Sequence, residues 1–117
     1  MTSLSMSFLN AFKGLRKAWA ERNFRIELTV AVLVVIAGFV LHLSAMEFVA
    51  LFLAIGLVLG AEAMNTAVER LSDVVSPNRQ AEIEAVKDIM AGAVLLSAVS
   101  AAVIGLIIFG QIFWQRL

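Results

Sequence analysis

Three apolar stretches, at 26–43, 46–68 and 89–113, dominate the chain, and the segments that separate them are polar. Each is long enough to cross a bilayer as a helix, which takes about 20 residues. The connection between the first two, from His42 to Glu47, contains no Lys or Arg and is only a few residues long. It predicts a tight hairpin of two spans with its tip on the far side of the membrane. The second connection carries Arg70, Asp73, Pro77, Asn78, Arg79, Glu82, Glu84, Lys87 and Asp88. That composition predicts a solvated loop returning to the near side, with Pro77 breaking helix continuity.

Ahead of the first stretch, residues 1–25 form an arm in which Phe8, Leu9, Phe12, Leu15 and Trp19 stand among Lys13, Arg16, Lys17, Arg22 and Arg25. Glu21 is the only acid there. A basic arm interleaved with aromatics and joined directly to a span predicts an amphipathic helix on the membrane surface, not a nucleic-acid-binding tail. By the positive-inside rule the N-terminus is cytoplasmic. Trp114 and Arg116 then close the third span on the far side, where an aromatic anchor belongs. The chain is read as one domain, 1–117, with no internal repeat.

Composition agrees with the pattern. At 117 residues, 62% hydrophobic and a mean hydropathy of +0.96, there is too little polar surface for a soluble domain. The absence of cysteine removes disulfides and zinc–thiolate sites, so a metal would be held by carboxylates, amides or His42. Oxygen ligands point to magnesium or a similar hard cation. Gly56 and Gly60 in the second span, and Ala98, Ala102 and Gly105 in the third, are spaced for close helix packing. The seven glycines form neither a P-loop nor a GxGxxG.

The charges at the end of the second stretch need a separate explanation. Glu62, Asn65, Glu69 and Asp73 fall within an arc of roughly 80° at 100° per residue, one polar stripe on an apolar helix. Glu62 lies roughly 10 Å inside the near boundary, where a carboxylate costs up to about 3 kcal/mol and is more often kept for function than for packing. Glu69 and Asp73, four residues apart, repel unless a cation or counter-charge stands with them, and a divalent metal would reconcile them. Glu21 ends the basic arm on the same membrane face, and Lys87 offers an ammonium suited to phosphate. Carboxylates for magnesium, a half-buried carboxylate as base, an amide and a lysine make a phosphoryl-transfer inventory.

The run from Glu62 through Asn65 and Glu69 to Asp73 (EAMNTAVERLSD), followed by Lys87 and Asp88 in KDIMAGAVLL, resembles the signature of the small prokaryotic diacylglycerol kinases, a family that includes undecaprenol kinases. The resemblance extends to AFKGLR at 11–16 and ERNFR at 21–25, and so covers nearly the whole chain. It implies an all-α membrane protein, a homotrimer of three-span subunits each with a surface helix, in the bacterial cytoplasmic membrane. It implies transfer of the γ-phosphate of ATP, with magnesium, to a lipid hydroxyl, at sites between subunits. Carried over by position, Glu62 is the expected general base, and Glu21 and Glu69 are the expected metal ligands. Asn65 corresponds to an amide near the transferred phosphate and Lys87 to a phosphate-contacting lysine. Asp73 and Asp88 are expected polar partners in cofactor binding.

Many family members carry a histidine in the loop before the lysine, and here that loop reads VSPNRQ at 75–80. Arg79 or Asn78 is the expected substitute in holding the nucleotide. For the acceptor, the stretches NFRI at 23–26, AGAVL at 91–95 and GLIIFG at 105–110 lean toward undecaprenol over diacylglycerol. The alternative from another class is a small proton-coupled multidrug exporter, which shares the length and a membrane glutamate but needs four spans. A holin-like pore is a further alternative, but it gives no reason for carboxylates beside Lys87.

Overall fold

Helix formation here is set by long runs of apolar residues, punctuated where the chain supplies a cap. The computed structural model describes residues 3–78 and 80–116, which fold into four helices. These are α1 (Leu4–Ala18), α2 (Arg22–Val40), α3 (Ala45–Val75) and α4 (Ala81–Arg116). Ser3 caps α1, its hydroxyl accepting from the Met6 amide, and Arg16 and Lys17 in the last turn complement the helix dipole. After a turn at 19–21, α2 begins at Arg22.

The hairpin between α2 and α3 is closed by two local devices. At the end of α2 the Leu43 amide donates to Gly38 O at 3.0 Å and the His42 amide to Phe39 O at 3.3 Å, the paired bonds of a Schellman cap. His42 occupies the left-handed position with φ 56°. Gly38 is needed for space: a Cβ there would lie 2.9 Å from Leu43 Cδ1 and 3.0 Å from the Phe48 ring. At the start of α3, Ser44 and Glu47 form a capping box, with Glu47 N to Ser44 Oγ at 3.2 Å and Ser44 N to Glu47 Oε1 at 2.9 Å.

Near this end lies the core, Leu43, Leu51 and Ile108, flanked by Phe48, Ile104 and Phe109. α3 is the central element, packed along both α2 and α4 and touching α1. Large apolar side chains such as Leu33, Phe39, Leu53, Leu96 and Leu106 remain exposed, so most of the apolar surface is turned outward. Such surface is stable only against lipid or another protein.

The second connection differs from the sequence expectation. Instead of a long loop, α3 continues to Val75 and α4 begins at Ala81, leaving only 76–80 between them. The charged residues predicted to form loop lie mainly on helix surfaces. Glu82, Glu84, Ala85 and Lys87 are good helix formers, and polar composition marks exposure to water, not irregular backbone. The predicted spans are therefore the apolar parts of longer helices. With 31 and 36 residues, α3 and α4 run about 46 and 54 Å, beyond the ~30 Å of a bilayer core. All three of α2, α3 and α4 are long and apolar enough to cross a membrane.

Candidate active site

The overhang of α3 and α4, together with the α1–α2 turn, gathers the polar residues at the end opposite the hairpin. Glu62 is 4% exposed, the most buried charged residue described, and the next turn of α3 buries Thr66, whose hydroxyl donates to Glu62 O at 3.2 Å. Going outward, Asn65 Nδ2 lies 3.4 Å from Glu69 Oε1, a long contact that aligns these two side chains of the stripe. Asp73, one turn farther, accepts from Lys87 Nζ at 2.9 Å. The repulsion expected between Glu69 and Asp73 is thus relieved from α4, by the Lys87 ammonium. A metal between those two acids is not required for that purpose.

Lys87, Asp73 and Asp88 border one polar cavity of about 300 Å³, to which the loop contributes Asn78 and Gln80. Ser76, buried, donates its hydroxyl to Asn78 O at 2.8 Å and fixes the loop's path. Arg79 lies outside the described residues.

Glu21 reaches the site from the α1–α2 turn, with its Oε1 3.7 Å from Arg70 Nη2, and Arg70 follows Glu69 on α3. Glu21 and Glu69 are therefore associated with the same turn of α3. Among the described residues no group of three His, Cys, Asp or Glu is arranged to hold a metal alone. Two hard carboxylates at a water-exposed edge fit magnesium, which takes one or two protein carboxylates and fills its octahedron with water and substrate phosphates.

One acid at this end stands apart from the residues singled out by sequence. Glu27, on α2 inside the 26–43 stretch, has its Oε2 buried with no hydrogen-bond partner among the described residues, and Glu62 lies close enough to act on it electrostatically. It also borders a groove of about 760 Å³ between α2, α3 and α4, lined by apolar and small side chains including Ala31, Val58, Ala98, Ala102 and Phe109. The signal that could have found it is the one that found Glu62: an acid in an apolar span is costly. Arg70 was likewise not singled out, because an arginine in a polar segment carries no such signal.

Residues 9–109 match the family described as prokaryotic diacylglycerol kinase. The chain is 39% identical over 104 residues to an undecaprenol kinase of Bacillus subtilis (strain 168), spanning 88% of this chain and 85% of that protein. It is also 39% identical over 105 residues to a diacylglycerol kinase of Synechocystis sp., spanning 88% of this chain and 60% of that protein. With the match extending from α1 across the whole polar end to α4, the chain belongs to the prokaryotic diacylglycerol kinase family and is a membrane-embedded lipid kinase.

Proposed function

We propose that this protein moves the γ-phosphate of ATP onto the hydroxyl of a membrane lipid at the cytoplasmic surface, with undecaprenol as the preferred acceptor. The observation that carries this reading is the convergence of a buried glutamate, paired outer carboxylates and a lysine-lined polar cavity at one end of an apolar bundle. Phosphate chemistry is served at the water-exposed edge and lipid access at the groove. The three spans, with no fourth for an exporter among the described residues, and the family relationship both favour a kinase over a transporter.

In the reaction Glu62 acts as general base, taking the proton of the lipid hydroxyl as its oxygen attacks the γ-phosphorus and the bond from that phosphorus to the β,γ-bridging oxygen breaks, with ADP as leaving group. Glu27 borders the groove through which the lipid would approach. Glu69 and Glu21 hold magnesium, which when bound offsets charge on the phosphates. Asn65 steers Glu69 and donates toward the transferred group. Lys87 leaves Asp73 to bind phosphate, while Asp88 and Asn78 shape the nucleotide cavity.

α1 lies on the cytoplasmic surface of the membrane. Leu4, Phe8, Phe12, Leu15 and Trp19 share an arc of roughly 80° at 100° per residue and are all exposed, with Arg16 flanking it and Lys13 and Lys17 on the other side. The exposed apolar faces of the spans are covered in a homotrimer and by lipid.

The test is transfer from radiolabelled ATP with magnesium in mixed micelles, with undecaprenol and diacylglycerol offered in parallel. A labelled undecaprenyl product in excess is expected. Preferential labelling of diacylglycerol would reverse the acceptor assignment, and label in neither lipid would refute it.

A further inference from the structure

Arg70 has no part in the reaction just described, yet it makes the contact that fixes where Glu21 points. Glu21 is the N-cap of α2, with φ −81° and ψ 130°, a position where a side chain longer than Asp or Ser does not usually bond the first amides of its own helix. Here it makes no such bond. Its Oε1 instead faces α3, 3.7 Å from Arg70 Nη2, with the two side chains 43% and 53% exposed. An ion pair this long and this wet is weak and readily exchanged. The other charges at this end are differently engaged: Asp73 holds Lys87, and Glu69 is contacted by the neutral Asn65 amide.

We propose that Arg70 is an exchangeable counter-ion, paired with Glu21 while the metal is absent and passed to the phosphates of the nucleotide when a divalent cation takes that carboxylate. This rests on the reading of Glu21 as a metal ligand. A guanidinium does not lose its proton, so a cation arriving at Glu21 repels it and leaves it without an anion. The polyphosphate that arrives with the metal is that anion, and a planar fork of N–H donors suits it. Arg70 follows Glu69, the other proposed ligand, on the same turn of α3.

The two halves of the exchange predict opposite signs in one variant, Arg70→Gln, in lipid nanodiscs. Binding of Mn2+ alone, followed by electron paramagnetic resonance, should tighten about two- to fivefold, because a competing cation of the strength of an exposed ion pair is gone. Binding of the non-hydrolysable analogue AMP-PNP with Mn2+ should weaken about tenfold or more, through loss of a charge-assisted contact. If both affinities fall, Arg70 merely holds Glu21 in place and the exchange is refuted; unchanged Mn2+ binding refutes it equally. Glu21→Gln separates the underlying assumption. If it leaves Mn2+ binding unaltered, Glu21 is not a metal ligand and the proposal falls with that reading. If it weakens Mn2+ binding while Arg70→Gln fails to tighten it, only the counter-ion role falls. In the Glu21→Gln background, Arg70→Gln should no longer tighten Mn2+ binding.

Discussion

Glu62 shows how one side chain can be marked by its cost. A carboxylate at 4% exposure within an apolar helix is a standing penalty: Thr66 binds the Glu62 backbone oxygen and not its carboxylate, and Glu27, within electrostatic reach, is another acid. Glu62→Gln keeps the shape and removes the base, so kcat should fall by about 10²- to 10⁴-fold while AMP-PNP binding is retained. Steady-state kinetics alongside direct binding would check this, and near-normal turnover would remove Glu62 from the mechanism. Glu27 makes the complementary point: its place in an apolar span was legible in the sequence, but that its Oε2 is buried without a partner among the described residues follows only from the packing of the helices.

At the scale of the element, the hairpin was correctly expected from a short connection without Lys or Arg, but the manner of its closure was not. The Schellman cap puts His42, a residue with a Cβ, at φ 56°. That conformation costs an L-residue about 1 kcal/mol, a cost glycine does not bear. His42→Gly should therefore stabilise the folded protein by up to about 1 kcal/mol, offset in part by the larger entropy of glycine in the unfolded chain. Equilibrium unfolding in micelles would register it, and a loss of stability would show that the imidazole makes a contact worth more than the strain. The same scale accounts for the misread second connection. Residues 81–88 carry their charges on a mostly exposed helical surface, and are helical because nothing among them stops a helix; Pro77, in the short link at 76–80, marks the break.

For the whole molecule the decisive fact is how little one chain buries. Among the described residues no large side chain is less than 2% exposed, and long apolar faces on α2, α3 and α4 remain open. α3 mediates the main helix contacts, and the groove flanked by α2 and α4 has small residues at Ala98, Ala101, Ala102 and Gly105. A single copy is thus a bundle open on one side, as expected for a subunit of a larger helical assembly. Native mass spectrometry from nanodiscs should give three copies per particle. A monomer retaining full turnover would place every catalytic group within one chain and refute the shared sites.

The sequence by itself determined the number of spans, the hairpin, the polar stripe from Glu62 to Asp73 and the family, because apolar length, helical spacing and a motif are properties of neighbours along the chain. Only the tertiary structure decided which charges meet. Lys87 came to Asp73 across 14 positions, Glu21 came to Arg70 from the α1–α2 turn, and Glu27 was brought into the field of Glu62. Those pairings depend on how antiparallel helices register against α3, and register is set by core contacts such as Leu43, Leu51 and Ile108, at the end of the bundle opposite the paired charges.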